Sequence, residues 1–332
     1  MTDLLEIDGL AVELPVDGLM RSVLHDATFS VDAGEAVALV GESGSGKSMT
    51  LRALLGLLPR GAVVHGDIRF DGASVLELKG AQMRRFLAED IGTIFQDPRA
   101  HINPMRSVGD FLCEGLVSTR GVKRKVAVGR AVEALRAVRV ADAERRMRQR
   151  PYELSGGLLQ RVMIAAALIG DPRLLLADEP TTALDVTTQE EVMAILDELR
   201  RERSLAMIFV THDLELAIAV CDRIAVMYAG SIVEVRPSTE IHEKAAHPYT
   251  QALLSARPSL ATRGRRMEAI QGRPLSAFEV PDGCSFAPRC PYAVDLCRQE
   301  APGMHSVGGG CARCHFAERF ATGTWVTEAE GV

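Results

Sequence analysis

Gly41-Glu42-Ser43-Gly44-Ser45-Gly46-Lys47-Ser48 fits G-x-x-x-x-G-K-[ST], the pattern of a loop whose backbone cradles the phosphates of a nucleoside triphosphate. Its flanks are those the pattern needs. Ala36-Val37-Ala38-Leu39-Val40 reads as a buried strand entering the loop. After it, Leu51, Leu54, Leu55 and Leu58 recur at helical spacing, which predicts a helix over 49–58 stopped by Pro59. Gly41, Gly44 and Gly46 let the chain turn tightly, so that successive N–H groups, from Ser43 and Ser45 to Met49, face the phosphates with the positive end of the helix. Lys47 is expected on the β- and γ-phosphates and the Ser48 hydroxyl on Mg²⁺.

Arg173-Leu174-Leu175-Leu176-Ala177-Asp178-Glu179 is an apolar run ending in two carboxylates, as expected of a buried parallel strand that delivers acids to its carboxyl end. Asp178 is placed to hold Mg²⁺ through water, and Glu179 to polarise the water attacking the γ-phosphate. The blander alternative is a pair of helix-capping acids before Pro180. Ser155, Gly156 and Gly157 precede an apolar helix, Leu159 to Ile169, so their N–H groups form a second anion-binding helix start. Two phosphate sites in one chain require an explanation.

The chain has 332 residues, enough for one large domain with an extension or for two domains. Hydrophobic residues make up 47% and no run of eighteen apolar residues exists, so a membrane role has to come through a partner. The acidic start Met1-Thr2-Asp3-Leu4-Leu5-Glu6 lacks the basic-then-apolar layout of a secretion signal, which points to the cytoplasm. A net charge of -6 gives no overall basic field for a polyanion, and the clusters Lys123-Arg124-Lys125 and Arg145 to Arg150 read as solvated helix faces. No nucleic-acid partner is expected.

Between the two acidic and glycine-rich elements lie Gln96 and Leu154-Ser155-Gly156-Gly157-Leu158-Leu159-Gln160-Arg161, and beyond them come Ala183-Leu184-Asp185 and His212. In this order the elements resemble the ATP-binding subunits of ABC transporters, over roughly residues 4 to 240. The resemblance implies a P-loop NTPase α/β core of the ABC ATPase kind, with an antiparallel β layer from near Leu4 to Asp71, hinted at by a hairpin at 67–72, and a helical insertion at about 98–163. It implies two ATPase subunits that sandwich two ATPs head to tail, Ser155, Gly156 and Gly157 of one capping the nucleotide of the other. It also implies that His212 contacts the γ-phosphate, that Gln96 serves the Mg²⁺ and the reaction, and that Asp185 belongs to the nucleotide site. On its own, His212 reads more readily as an ordinary strand-end histidine. Two departures stand out: Leu158 replaces the usual Gln of the signature, and Leu14 occupies the position of the aromatic that stacks on adenine.

Arg161-Val162-Met163-Ile164-Ala165, Asp178 to Val186 and Val226-Met227-Tyr228-Ala229-Gly230 look like the oligopeptide, dipeptide and nickel importer branch, where an apolar residue often replaces the signature Gln. His247-Pro248-Tyr249-Thr250-Gln251-Ala252-Leu253-Leu254 followed by Gly283 to Tyr292 resembles the peptide branch in particular. The expected architecture is an ATPase domain over 1–240 and a small Cys-rich C-terminal extension over 241–332. The expected partners are a second, different ATPase subunit, two transmembrane permease subunits that dock on Pro98 to Leu116, and indirectly an extracytoplasmic solute-binding protein. That places the chain peripherally on the cytoplasmic face of the inner membrane. Nickel or another small solute is the alternative cargo, and an ABC ATPase acting on nucleic acid is a more distant alternative, which would need a long coiled-coil insertion and a basic surface that this sequence does not show.

Five of the seven cysteines fall after residue 280, as Cys284-x5-Cys290-x6-Cys297-x13-Cys311-x2-Cys314. Disulfides do not suit a reducing compartment, and a Pro/Gly-rich segment has little core of its own in which to bury thiols. Zinc favours paired C-x2-C knuckles, and only Cys311 and Cys314 are so spaced. The spacing of Cys284, Cys290 and Cys297 resembles that of peptide-importer ATPases holding a [4Fe–4S] cluster, which implies Cys314 as fourth ligand with Cys311 as its alternative. Zinc, or no metal, stays open.

Overall fold

The computed structural model describes residues 3–181, 185–256 and 270–324. In chain order the elements begin with β1 (Leu5–Val16), β2 (Leu19–Val31), β3 (Ala36–Val40), α1 (Lys47–Leu54), β4 (Val63–Phe70), β5 (Ala73–Ser74), α2 (Ala81–Glu89) and β6 (Ile91–Ile94). Next come α3 (Val108–Ser118), α4 (Arg124–Ala137), α5 (Ala143–Arg146), α6 (Gly156–Leu168), β7 (Leu174–Asp178), α7 (Val186–Arg203) and β8 (Ala206–Thr211). The chain closes with α8 (Leu214–Val220), β9 (Arg223–Tyr228), β10 (Ser231–Pro237), α9 (Ile241–Lys244), α10 (Pro248–Ser255), α11 (Asp295–Gln299), β11 (His305–Val307), β12 (Gly310–Ala312) and α12 (Ala317–Ala321).

Among the described residues two compact units emerge, one within 1–5, 31–36 and 69–210, the other within 6–30, 37–68 and 211–332. In the first, β6, β7 and β8 run parallel, with Ile91 opposite Leu174 and Leu174 opposite Ala206. Their runs of Leu, Ile and Val are buried on both faces, the pattern of a parallel sheet covered by helices. The expected hairpin forms here: Phe70 pairs with Ala73 across Asp71-Gly72, both at positive φ, the two-residue turn whose twist matches the strands it joins. Helices α3 to α6 fill the stretch expected to be helical, and Ser107, which accepts from Asp110 N at 3.1 Å, caps α3.

In the second unit, β4, β1, β2, β10, β9 and β3 lie side by side in that order. β3 is parallel to β9, with Val37 opposite Arg223, and β9 is antiparallel to β10. The C-terminal segment adds β12 to β10, pairing Glu234 with Ala312 and Val235 with Cys311. Helix α1 is shorter than the leucine spacing predicts. It ends at Leu54 rather than Leu58, because Gly56 takes φ 64° and lets Gly56 N and Leu57 N donate back to Ala53 O and Arg52 O. That left-handed cap satisfies the last carbonyls and turns the chain before Pro59 can act.

Candidate functional site

The phosphate loop leaves β3 and enters α1, as the motif requires. Gly41 is held where a Cβ would sit 2.1 Å from the Met227 carbonyl oxygen of β9, and Gly46, at φ 111°, where one would meet Leu24 and Met227 side-chain atoms at 2.6 and 2.7 Å. Only glycine lets the loop lie this close to the strand beneath it. Gly230 N donates to Ser45 O at 2.8 Å, tying the loop to the β9–β10 turn. Lys47 Nζ donates to Gly41 O at 2.7 Å and to Glu42 O at 3.0 Å. The Ser45 hydroxyl is buried with no hydrogen-bond partner, so the loop carries a polar atom that a phosphate oxygen would satisfy. Ser48 and Met49 open α1, where their N–H groups lie on the positive end of the helix.

In the other unit, β7 ends at Asp178 and Glu179 follows in the left-handed region at φ 46°. Glu179 N still donates to Val210 O at 3.0 Å, so the bend is held by the neighbouring strand while its side chain leaves the direction of Asp178. Gln96 Nε2 donates to Glu179 Oε2 at 2.9 Å. His212 follows β8 with an exposed side chain.

Ser155 caps α6, its Oγ accepting from Leu158 N at 3.4 Å, and Gly156 and Gly157 form the first turn. Asp185 caps α7: it accepts from Thr188 N at 3.1 Å and Thr188 Oγ1 at 2.8 Å, bonds that hold its carboxyl below the ordinary range. Ala183 and Leu184 of the same turn lie outside the described residues.

The C-terminal segment reaches the phosphate loop. Tyr249 Oη accepts from Glu42 N at 3.0 Å, and Arg289 Nη1 and Nη2 donate to the Glu42 carboxylate at 2.7 and 3.2 Å. Behind these contacts Tyr228, Tyr249, Phe286 and His247 pack ring against ring at 4.7 to 5.7 Å between centroids. Burial pushes the Tyr249 hydroxyl far above its ordinary pKa and the His247 imidazole down to about 3. Neutral His247 accepts from Tyr249 N at 3.0 Å and starts α10.

Cys284, Cys290, Cys297 and Cys314 line one cavity together with His247, Phe286 and Phe316. Cys311 is absent from that lining and sits on β12 opposite Val235. Burial pushes the Cys290 thiol up to about 11 and Cys314 up to about 12, the latter reinforced by the other three thiols of the cavity. Among the described residues, no three His, Cys, Asp or Glu side chains are gathered closely enough to hold a single metal ion.

The ABC transporter family profile matches residues 24–182, and the profile of the oligopeptide/dipeptide transporter C-terminal region matches 233–297. The oligopeptide transport ATP-binding protein OppD of Salmonella typhimurium is 42% identical over 94% of this chain and 93% of its own length. This chain belongs to the ATP-binding subunits of the peptide-transporter branch of the ABC family. The dipeptide transport ATP-binding protein DppD of Haemophilus influenzae is 40% identical over 94% of the chain and 95% of itself. Among solved structures, the dimeric ABC transporter cassette MJ0796 superposes with a TM-score of 0.63 at 27% identity, covering 70% of this chain and 98% of that one.

For an ABC ATP-binding subunit, the residues expected from sequence fall where strands end and helices begin: Gly41 to Met49 from the end of β3 into α1, Asp178 and Glu179 at the end of β7, Ser155 to Gly157 at the start of α6. Leu14 lies half-buried on β1 and offers no π-face for a base. What motif reading missed is the role of Tyr249 and Arg289, which are 207 and 247 residues from Glu42. Both belong to stretches that mark the branch, but nothing in the spacing says that they meet the phosphate loop.

Proposed function

We propose that this chain is the ATP-hydrolysing subunit of an ABC importer for di- and oligopeptides, working as a heterodimer with a second ATPase on two membrane permease subunits fed by an extracytoplasmic solute-binding protein. The observation that carries the reading is the near full-length match to OppD and DppD, which includes the C-terminal peptide-transporter region. The ATPase domain extends over 1–240 and the extension over 241–332. Lys47 and the N–H groups of the loop bind phosphate, Ser48, Asp178 and Gln96 serve Mg²⁺, Glu179 is the base toward water, and His212 meets the γ-phosphate. The unsatisfied Ser45 hydroxyl supports phosphate binding at the loop. Magnesium supplies neutralisation of the charge that develops on the phosphates.

Ser155 to Gly157 cap the partner's nucleotide, and Asp185 acts through the cap that it makes on α7. A groove of about 250 Å³ lined by Leu87, Phe111, Leu112, Leu116 and Pro172 supports permease docking on the helical insertion. Among the described residues no helix is long and apolar enough to cross a membrane, in keeping with a peripheral seat on the permeases. Peptide-stimulated ATPase activity of the reconstituted transporter, with its solute-binding protein present, tests the assignment. Stimulation by nickel and not by peptides would replace it with the metal-importing alternative.

We propose a [4Fe–4S] cluster rather than zinc in the extension, on the resemblance of the cysteine spacing to that of cluster-holding peptide-importer ATPases, with Cys284, Cys290, Cys297 and Cys314, which line one cavity, as its ligands. The cluster would cross-link α11, through Cys297, to the loops that carry Cys284, Cys290 and Cys314, and its chemistry there would be structural.

A further inference from the structure

We propose that Arg289 and Tyr249 are positioning residues for ATP, and that the C-terminal extension is therefore a working part of the phosphate loop. The Glu42 peptide is held from three sides: its N–H by Tyr249 Oη, its carbonyl by Lys47 Nζ and its carboxylate by the Arg289 fork. When Lys47 turns to the phosphates, it can no longer hold the Gly41 and Glu42 carbonyls. Arg289 and Tyr249 then keep the first limb of the loop in shape. Both can do so rigidly, since Tyr249 is fully buried and the Arg289 side chain is 4% exposed. Arg289 Nε is also anchored on Gln271 O at 3.0 Å, and its guanidinium lies 5.8 Å from the centre of the Tyr228 ring. A fork fixed by stacking and a bidentate ion pair transmits position, which a surface ion pair between mobile side chains does not. Glu42 N–H, spent on Tyr249, is not a phosphate donor; its role is to be held.

The sign of one substitution separates positioning from plain electrostatics. Glu42→Gln removes a negative charge beside a polyphosphate, so Coulomb forces alone would tighten ATP binding. Positioning predicts the reverse. Titration of the full-length chain with Mg-ATP should show about tenfold weaker binding in Glu42→Gln and in Arg289→Gln, the scale of one charge-assisted hydrogen bond. In the assembled transporter, KM for ATP should rise more than kcat falls. The Glu42→Gln/Arg289→Gln double variant should be no weaker than either single one, because both remove the same contact. Arg289→Lys should recover part of the affinity, and Tyr249→Phe, which keeps the ring and loses the acceptor, should weaken binding in a chain that stays folded at a modestly lower melting temperature. Glu42→Gln leaves the packing of the extension untouched, so it remains decisive if Arg289→Gln folds poorly. Unchanged or tighter ATP binding in Glu42→Gln overturns the proposal, as do additive losses in the double variant or a fall in kcat at constant KM.

Discussion

Gln96 Nε2 lies 2.9 Å from Glu179 Oε2, so the amide expected to serve Mg²⁺ holds the carboxylate expected to act as base. The contact fixes a side chain whose backbone is already bent into the left-handed region. Glu179→Gln is expected to lower ATP turnover at least a hundredfold, within the roughly 10²–10⁴ range of a general base, while ATP binding is preserved. Single-turnover hydrolysis alongside equilibrium nucleotide binding reads the two separately, and retained turnover removes Glu179 from the role.

The helix start at Ser155 to Gly157 carries a second prediction, because its N–H groups are proposed to cap a nucleotide on another subunit. The isolated chain should hydrolyse ATP slowly, and the partner ATPase should raise the rate strongly. Light scattering during turnover provides the control: a chain that stays monomeric and reaches the rate of the full transporter contradicts the shared site.

Leu14, half-buried on β1, has an apolar side chain without a ring. Phosphate and Mg²⁺ contacts are indifferent to the base, so discrimination between ATP and GTP should stay below about a hundredfold, or about 2.7 kcal/mol. Competition binding measures it, and Leu14→Tyr should widen the preference.

A stability prediction follows from Glu234, which is fully buried and accepts from Arg236 Nε at 2.9 Å, Ala246 N at 2.8 Å and His247 N at 3.0 Å. Arg236, equally buried, also donates to Gly308 O and Val307 O. Glu234→Ala takes the buried carboxylate from the Arg236 guanidinium, which keeps only its carbonyl acceptors and the longer contact to Glu240, leaves the Ala246 and His247 N–H groups without that acceptor, and should cost about 3–5 kcal/mol. Thermal unfolding with limited proteolysis should show the loss, with cleavage appearing first after residue 240; a change below about 1 kcal/mol contradicts the bridging role.

Anaerobic purification tests the thiol cavity. A brown protein with about four irons per chain is expected, and Cys284→Ser/Cys290→Ser should lose the iron while Cys311→Ser keeps it, since Cys311 does not line the cavity. Zinc without iron in the same preparation would sink the cluster.

The phosphate loop, the acidic strand end, the Ser-Gly-Gly helix start and the Asp71-Gly72 hairpin were legible in the sequence because each is local. A glycine that must turn, a cap that must accept, or a run buried on both faces is dictated by neighbours within a few residues. The end of α1 shows where local reading gives way, since the leucine spacing runs to Leu58 and the helix stops at Leu54, where the Gly56 cap competes successfully. The structure lines one cavity with Cys314 and the other three thiols and leaves Cys311 on β12 opposite Val235, because Cys314 lies two residues beyond the end of that strand. Only the tertiary structure brought Tyr249 and Arg289 to Glu42, because a hydrogen bond across more than two hundred residues is specified by how β9, β10 and the aromatic cluster pack and by no periodicity in the chain.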